Sequence, residues 1–156
     1  IVDDEDYDWL SQWKWCAYVN QGLWYAMRNG SYINNKRKSI HMHRLIMNAP
    51  DDKEIDHING NGLDNRKGNL RICTRIENIR NSSKRQGNTV SKYKGLFWNK
   101  NNNKWRVKIS VNNKDLYFGH FDNEVEAAKV YNKAVIRYFG EFANLNKIED
   151  ILDGRS

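Results

Sequence analysis

The chain has 156 residues, of which 26 are basic and 19 acidic, giving a formal net charge of +7. No apolar run approaches the ~20 residues that a membrane-spanning helix needs, so an association with the membrane is not expected. Cys16 and Cys73 have no CxxC partner and no neighbouring histidine, which argues against a disulfide framework and a cysteine zinc site and fits a reducing cytoplasm.

The positive charge is concentrated in the second half of the chain. Up to Ser82 there are 12 Lys and Arg against 11 Asp and Glu, whereas from Ser83 onward there are 14 against 8. Between Glu77 and Asp115 the chain has ten basic residues and no acidic one. Such a stretch is typical of a surface that binds a polyanion such as nucleic acid. On charge alone, a basic surface that serves only solubility is an equally good interpretation.

The first forty residues are rich in aromatic side chains and predict short strands that form a small sheet. Turn signals stand at Gly22 and at Asn29-Gly30. A short helix is predicted over 41–47, and Pro50 disfavours helical geometry just before it.

Residues 54–81 predict the order strand, loop, strand, helix. The loop, NGNGLDNRKGN at 59–69, lies between two strand-like runs at 54–58 and 70–73 and is expected to be an ordered, hairpin-like connection. Thr74 and Glu77 have the spacing of a capping box, so a helix should begin there and run to about Asn81.

Asp56 and His57 carry the strongest chemical signal in this segment. Phosphodiester hydrolysis needs a nucleophilic water, a base that deprotonates it and positive charge near the phosphate. Neighbouring residues of a strand point to opposite faces, so both can serve one site only at a strand end or bend, which the Asn- and Gly-rich loop provides. Asn78, in the first turn of the predicted helix, is well placed to add a metal ligand. Oxygen ligands from Asp and Asn suit Mg²⁺ or Mn²⁺ rather than Zn²⁺.

The run from His43 through Asn81, with Asp56-His57, Asn69-Leu70 and Glu77-Asn78, resembles the HNH homing endonucleases of phages and mobile introns. The resemblance implies a ββα-metal fold. It makes His57 the general base and Asn69 the residue that fixes the loop and orients His57. It also implies that Asp56 and Asn78 bind one divalent metal ion, Mg²⁺ or Mn²⁺. The third motif position is Asn rather than His, as is common in the phage homing branch.

Each motif residue taken alone has an ordinary structural interpretation: His57 as an exposed loop histidine, and Asn69 and Asn78 as turn and helix residues. Their joint occurrence in the predicted strand, loop, strand and helix favours the catalytic interpretation. His43, beside Arg44, matches the segment that opens the preceding helix of the family. A hydrogen-bonded structural histidine and a phosphate contact both stay open there.

Residues 81–91 contain a single apolar residue, Val90, and predict a linker. Beyond it, strands are predicted at 93–98, 104–111 and 116–121, separated by Asn-rich and Asn-Lys-Asp turns. Asn123 and Glu126 form a second capping box, and the helix that follows should end at Gly140. A three-stranded antiparallel sheet with one helix packed on one face is expected.

Residues 91–146 resemble the AP2 domain, a DNA-binding sheet backed by a helix. The matching segments are Tyr93-Lys94-Gly95-Leu96, Lys104-Trp105-Arg106-Val107-Lys108-Ile109, Tyr117-Phe118-Gly119-His120-Phe121, Glu126-Ala127-Ala128 and Tyr138-Phe139-Gly140. Alternation along the second strand puts Lys104, Arg106, Lys108 and Ser110 on one face, which would be the DNA face. Phe97 stands where plant members usually carry arginine, so their base preference does not transfer. Trp98 could pack in the core or lie on DNA.

The residues expected to contact DNA are Lys94, Arg106, Lys108, Ser110 and Tyr117, together with Arg75 and Arg80 in the first module. A solvated strand face is the alternative interpretation of the basic strand residues, and the charge asymmetry favours DNA contact over it.

Together these patterns predict an α+β protein: a small N-terminal sheet with a ββα-metal unit, then an AP2-like sheet and helix. The predicted boundaries are 1–82 for the endonuclease domain (core about 41–82), 83–91 for the linker, 92–146 for the AP2-like domain and 147–156 for a tail. The expected function is a homing-type endonuclease that acts as a monomer on double-stranded DNA and nicks it. The expected setting is the cytoplasm of a bacterial host, with a phage or mobile element as the source. A restriction or defence nuclease and a DNA-binding regulator that does not cleave are the alternatives.

Overall fold

The structure, a computed structural model, describes residues 1–33, 35–82 and 90–148. The chain divides into two compact units, the first spanning Ile1–Asn81 and the second beginning at Ser82. The described residues form helices and three separate antiparallel sheets, which confirms the predicted α+β class.

The first unit opens with helix α1 (Asp4–Leu10), which the sequence analysis did not predict. A sheet of three antiparallel strands follows, in the order β1 (Cys16–Asn20), β2 (Leu23–Ile33) and β3 (Lys36–His41). The turn at Gly22 is confirmed: Gln21 and Gly22 have φ angles of 50° and 82° and join β1 to β2.

The predicted turn at Asn29-Gly30 is wrong. Strand β2 continues through both residues to Ile33, and the pairing with β3 shifts register between Asn29 and Tyr32. A register shift and a turn both use residues such as Asn and Gly, because both require local departures from the regular strand.

The predicted order of strand, loop, strand and helix over residues 54–81 is confirmed. Helix α2 (Met42–Met47) is followed by β4 (Glu54–His57), β5 (Leu70–Cys73) and α3 (Arg75–Asn81), and β4 pairs antiparallel with β5. The capping box forms as expected. The Thr74 backbone N–H donates to Glu77 Oε2 (2.7 Å), and the Glu77 N–H donates to the Thr74 hydroxyl (3.3 Å).

The second unit contains β6 (Leu96–Asn99), β7 (Lys104–Val111), β8 (Lys114–Phe121) and α4 (Glu124–Phe139), with the strands paired antiparallel in chain order. Strand β6 begins at Leu96 rather than at 93, because Gly95 has a φ angle of +77° that a strand does not accommodate. Strand β8 begins at Lys114, since the actual turn is Asn112-Asn113, with φ angles of 50° and 61°.

Helix α4 has the predicted boundaries. The Asn123 side chain accepts hydrogen bonds from the Val125 and Glu126 backbone N–H groups, and Gly140 ends the helix with a φ angle of 54°. Its apolar side packs against the sheet. The buried core of this unit consists of Tyr93, Leu96, Val107, Ile109, Ala127, Ala128, Tyr131, Ala134 and Val135.

The two ends of the segment predicted as a linker are buried. Asn81 is the last residue of α3, and the Ser91 hydroxyl accepts a hydrogen bond from the Tyr93 N–H (2.9 Å). Residues 83–89 and 149–156, which hold most of the predicted linker and tail, lie outside the described residues. None of the described helices has the length and apolar character to span a membrane.

Candidate active site

The end of strand β4 presents Asp56 and His57 in the interior of the first unit. Their exposed fractions are 4% and 6%. The strand ends at His57, whose carbonyl accepts a hydrogen bond from the Gly60 N–H (2.8 Å), and Gly60 takes the turn with a φ angle of +74°. His57 is therefore not the exposed loop histidine of the structural interpretation.

The imidazole of His57 is held by Asn65, which the sequence analysis did not single out. His57 Nε2 lies 3.3 Å from Asn65 Oδ1, and Asn65 is fully buried. This contact favours the tautomer with its proton on Nε2, which leaves Nδ1 as the unprotonated nitrogen that a general base needs. Burial lowers the pKa of His57 below its ordinary value, although the Asn65 hydrogen bond and the charges of Asp56 and Asp64 act in the opposite direction. The geometry and the burial together favour a neutral imidazole.

Asn69 joins the two ends of the loop between β4 and β5. Its side chain accepts from the Asn59 N–H (3.0 Å) and donates to the Asp64 carbonyl (2.8 Å), while its carbonyl accepts from the Ile58 N–H (2.9 Å). The described hydrogen bonds connect Asn69 to the loop and connect Asn65, not Asn69, to the His57 ring. An orienting role of Asn69 toward His57 stays a prediction and would act through the loop.

Asp64 fixes the same loop from inside. It is 2% exposed and accepts hydrogen bonds from Arg66 Nε (2.8 Å), Arg66 Nη2 (2.6 Å) and Asn59 Nδ2 (2.9 Å). The Arg66 hydrogen bonds, with smaller contributions from Asn59, hold the pKa of Asp64 well below its usual range. Because Asn65 is the next residue, this network also sets the position of the His57 partner.

Helix α1 supports the far end of the loop. The Lys67 N–H donates to Asp3 Oδ2 (2.7 Å), and Lys67 Nζ lies 2.6 Å from Glu5 Oε1 and 3.2 Å from Asp6 Oδ2. The unpredicted N-terminal helix thus belongs to the scaffold of the site.

The carboxylate of Asp56 contacts Arg71 and Asn81. Asp56 Oδ2 accepts from Arg71 Nε (2.8 Å) and lies 2.6 Å from Arg71 Nη2, while Oδ1 accepts from Asn81 Nδ2 (2.8 Å). Asn81 Nδ2 also lies 3.2 Å from the His57 carbonyl. Asn78 instead donates to Glu54 Oε2 (2.7 Å). The described hydrogen bonds therefore join Asp56 to Asn81, one helical turn beyond Asn78, and the convergence of Asp56 and Asn78 on one cation stays a prediction.

The donor set near His57 fits a hard divalent cation. One carboxylate, Asp56, lies beside the side-chain amide of Asn81, and its two oxygens contact Arg71 and Asn81. Within residues 1–33, 35–82 and 90–148, no three His, Cys, Asp or Glu side chains are grouped closely enough to hold a metal. A site with a single carboxylate is suited to an ion that keeps several waters and shares substrate phosphates, as Mg²⁺ does.

A cluster of rings from the N-terminal sheet and α2 packs against His57. The His57 ring centroid lies 5.2 Å from that of His43 and 5.8 Å from that of Tyr25, and the His41 ring stacks on His43 at 5.6 Å. The Tyr18 hydroxyl lies 3.2 Å from His41 Nδ1. Burial, with smaller contributions from neighbouring positive groups, lowers the pKa of His43 to about 3. These contacts bury the ring, but His43 Nδ1 has no hydrogen-bond partner among the described residues, so the hydrogen-bonded structural role and the phosphate contact both stay predictions.

The loop also packs directly on strand β2. A Cβ atom added to Gly62 would lie 2.4 Å from the Trp24 carbonyl oxygen and 2.6 Å from the Tyr25 ring. The aromatic N-terminal sheet therefore supports the site from two sides, through the loop and through the His57 ring.

In the second unit, one side of the sheet is basic and open. Trp105, Val107 and Ile109 of β7 pack toward the core, as the alternation predicts. Arg106 lies over the Tyr117 ring (5.2 Å) and Lys108 over the Phe97 ring (5.2 Å). The pairing of Phe97 with Arg106 and of Lys108 with Tyr117 puts these side chains on one face. We call this the open face; its residues are Phe97, Arg106, Lys108, Ser110, Asp115 and Tyr117.

Asp115 is the acidic residue on the open face, and the sequence analysis did not single it out. Its carboxylate lies 2.8 Å from Lys108 Nζ and accepts from the Ser110 hydroxyl (2.6 Å). The hydrogen bonds from Lys108 and Ser110 lower the pKa of Asp115. Two of the predicted DNA contacts are thus held by one carboxylate.

The remaining predicted contacts lie in different surroundings. Lys94 is half-buried, and its Nζ donates a hydrogen bond to the Ser82 carbonyl. Burial lowers the pKa of Lys94. Arg75 is exposed and lies 3.9 Å from Glu54, whereas Arg80 is half-buried on α3. Trp98 makes an edge contact with Trp105 (4.9 Å) on the core side of the sheet but is 37% exposed, so the choice between core packing and DNA contact stays open.

Comparison with known proteins identifies the family of the chain. Residues 41–87 match the family model described as HNH endonuclease. A protein of Acanthamoeba polyphaga mimivirus named as an uncharacterized HNH endonuclease is 31% identical over 142 residues, which cover 87% of this chain and 72% of that protein. Protein 3.8 of Escherichia phage T7 is 36% identical over 77 residues, covering 49% of this chain and 63% of that protein. An AP2-like ethylene-responsive transcription factor of Arabidopsis thaliana is 34% identical over 67 residues, covering 42% of this chain and 12% of its own length. The chain therefore belongs to the HNH endonuclease family.

Proposed function

We propose that this protein is a metal-dependent DNA endonuclease of homing type that hydrolyses phosphodiester bonds, with His57 as the general base. The observation that carries the proposal is the buried imidazole at the end of β4, next to Asp56 and held at Nε2 by Asn65. A histidine that serves only packing does not need a fixed tautomer with Nδ1 left unprotonated.

In this proposal the residues around His57 have separate roles in hydrolysis. His57 takes a proton from the attacking water at Nδ1, Asn65 keeps the ring in the required tautomer, and Asn69 and Asp64 hold the loop that carries Asn65. Asp56 and Asn78 would hold one divalent ion, Mg²⁺ or Mn²⁺, and Asn81 is placed to orient the Asp56 carboxylate. The bound ion would supply the positive charge that stabilises the phosphate as negative charge develops on it.

The second unit adds affinity for double-stranded DNA through its open face. Arg106, Lys108, Ser110 and Tyr117 lie together there, and the similarity to an AP2-like transcription factor supports this role. Arg75 and Arg80 of α3 would contact DNA near the cleavage site, while Lys94 contributes from a half-buried position. Two tethered binding surfaces hold a longer site than either would alone.

One HNH centre per chain suggests a monomer that nicks one strand at a time. The mimivirus and phage relatives support an origin in a virus or mobile element. Activity in the cytoplasm of the host cell is part of the proposal. A homing enzyme reads a long site loosely, so mapped cleavage sites should share a long, variable sequence. A short, strictly read site would instead indicate a restriction or defence nuclease.

A plasmid-nicking assay with Mg²⁺ or Mn²⁺ tests the proposal. The unmodified chain should convert supercoiled plasmid to open circles, and His57→Ala should lower the single-turnover rate by about 10²- to 10⁴-fold while DNA binding is kept. Ile136→Ala is the control, because Ile136 is exposed on α4, on the opposite side of the sheet from the open face. At saturating protein it should leave the rate unchanged.

The main alternative is a DNA-binding regulator that does not cleave. The Asp56 carboxylate is already occupied by Arg71 and Asn81, which is the observation in favour of this alternative. If the unmodified chain binds DNA but produces no open circles with either metal, the regulator is the better interpretation.

A further inference from the structure

A second cationic feature lies in the first unit, apart from the residues around His57. It is a cavity of about 420 Å³, and it lies beside β1, β2 and β3. Arg28 is three residues beyond Tyr25 on β2, so its side chain leaves the strand on the side opposite to the ring that contacts His57. The cavity is lined by Trp13, Lys14, Trp15, Cys16, Arg28, Asn29 and Arg37.

Three positive charges line this cavity and no carboxylate does. Arg28 is half-buried, and Lys14 and Arg37 are exposed at the rim. Among the described residues, no Asp or Glu forms an ion pair with Lys14, Arg28 or Arg37. Unbalanced cations that converge on a concave surface favour the binding of an anion.

The surroundings of the Arg28 guanidinium favour a ligand that accepts hydrogen bonds. Its guanidinium carbon lies 4.5 Å from the Trp13 ring centroid and 5.7 Å from that of Trp15. Its Nε is shielded from solvent and has no hydrogen-bond partner within the described part of the chain. A buried donor on a charged group costs free energy when it lacks an acceptor, so an incoming acceptor is favoured.

The two indole rings are themselves held in place. Trp15 Nε1 donates to the Leu10 carbonyl (2.8 Å), and Trp13 makes an edge contact with Trp9 (6.0 Å). Rings that stack on a guanidinium cover its planar faces, so a phosphate would approach along the edge formed by the terminal Nη1 and Nη2 groups, since Nε is shielded.

We propose that this cavity, the Arg28 pocket, binds a backbone phosphate of DNA outside the cleavage site. The proposal rests on the proposed function in one respect, that DNA is the substrate. A phosphodiester group suits the pocket because it offers paired acceptors to Arg28 and a negative charge to the rim cations. The contact would contribute affinity without reading the base sequence. The competing interpretation is a purely structural stack of Arg28 on the two tryptophans.

DNA binding by the full chain without divalent metal tests the proposal. Arg28→Gln should weaken the affinity for a labelled duplex about tenfold and lower the slope of log affinity against log salt concentration by about one. Unrelated duplex sequences should be affected equally, since the contact is with the backbone. The matched control is Lys38→Gln, which removes one exposed charge from β3 outside the pocket. It should change the affinity by less than about twofold.

Exposed rim variants keep the test valid if Arg28→Gln does not fold. Lys14→Gln and Arg37→Gln should each weaken binding more than Lys38→Gln and by less than Arg28→Gln. Arg28→Lys, which keeps the charge but loses the planar fork, should fall between Arg28→Gln and the unmodified chain. A short duplex should also quench tryptophan fluorescence, and Trp13→Phe should reduce the quenching.

The structural stack is the better interpretation if folded Arg28→Gln and both rim variants bind DNA like Lys38→Gln with an unchanged salt slope. Because DNA binding is measured without metal, the effect of the pocket variants on affinity can be interpreted even if the chain does not nick DNA. Intact nicking with no effect of the pocket variants would overturn only the Arg28 pocket.

Discussion

The two units differ in what they bury. The second unit buries nine apolar residues and, among the described residues, Ser91 as its single buried polar residue. The first unit has a mixed interior in which the proposed catalytic groups are themselves buried. Its buried polar residues are Asp6, Asp56, His57, Asp64, Asn65 and Asn81. In the first unit, stability and the proposed chemistry would therefore depend on the same side chains, whereas in the second unit the proposed function lies on the open face, outside the core.

The largest expected effect tests the apolar core of the second unit. A Cβ atom at Gly95 would lie 2.1 Å from the Tyr131 ring, and Gly95 also has a positive φ angle. Gly95→Ala should therefore destabilise this unit by about 3 kcal/mol or more. Calorimetry should show the transition of the second unit moving to lower temperature while that of the first stays in place.

Gly68→Ala is the control for Gly95, because nothing lies within 4 Å of an added Cβ there. Its effect on the free energy of unfolding should be within about 0.5 kcal/mol. If both transitions shift in Gly95→Ala, the units do not unfold independently and the comparison fails.

Asp64→Asn tests whether stability and chemistry are shared in the first unit. The substitution weakens the buried contacts with Arg66 and Asn59, and we expect a loss of about 2 kcal/mol in the free energy of unfolding. The nicking rate should fall as well, since Asn65 follows in the same loop. Chemical denaturation and the nicking assay measure the two effects.

Asp51→Asn provides the comparison, because Asp51 is exposed and lies 3.9 Å from its partner Arg44. Both stability and nicking should be nearly unchanged. A stable Asp64→Asn variant with a normal nicking rate would show that the loop network is not shared with the site.

The histidine cluster predicts acid sensitivity of the first unit. His43 has a pKa of about 3 when folded, against about 6.5 when unfolded, and the same direction holds for His41 and His57. Below pH 6.5 the unfolded chain therefore binds protons that the folded chain does not. The contribution of these histidines to the free energy of unfolding has its full value above pH 6.5 and decreases as the pH falls toward 3. At pH 5 the decrease from His43 alone is about 1–2 kcal/mol.

His43→Phe should flatten the decrease between pH 6.5 and 5, measured as the pH dependence of the free energy of unfolding. The comparison of slopes is independent of any constant effect of the new ring on packing. An unchanged slope would mean that the pKa of His43 is the same in the folded and the unfolded chain.

The smallest effect on stability is expected on the open face. Asp115→Asn should leave the free energy of unfolding nearly unchanged, because the carboxylate of Asp115 is exposed and its ion pair with Lys108 is screened by solvent. It should strengthen DNA binding several-fold, since Lys108 and Ser110 are released and a charge that repels phosphate is lost. Fluorescence anisotropy at several salt concentrations measures the change.

Asp122→Asn removes the same charge from another exposed ion pair, with Lys104. It should strengthen binding less than Asp115→Asn. Equal gains in DNA affinity from both variants would mean that only the net charge matters and that the position of Asp115 on the open face does not.

The features that the sequence predicted well depend on local signals. The capping boxes at Thr74 and Asn123, the alternation along β7 and the helical spacing of α4 are each set by residues a few positions apart. The order of β4, β5 and α3 follows from the same kind of signal. The motif positions around His57 could therefore be found without knowledge of the packing.

The features that the sequence missed depend on contacts across space. Asn78 and Asn81 both lie on α3, and the packing of α3 on β4 decides which amide reaches Asp56. Asn65 is one of several asparagines in its loop, and the fold of the loop selects it as the partner of His57. Asn29 and Gly30 have the composition of a turn, yet their pairing with β3 keeps them in a strand.

The two thiols of the chain have contrasting reactivities that follow from their positions. Cys73 is buried, and its pKa is raised to about 11, so the reactive thiolate is scarce there at neutral pH. Cys16 is exposed and lines the Arg28 pocket. A maleimide dye added to the unmodified chain should therefore attach at Cys16 and place its reporter at this cavity without any engineered cysteine.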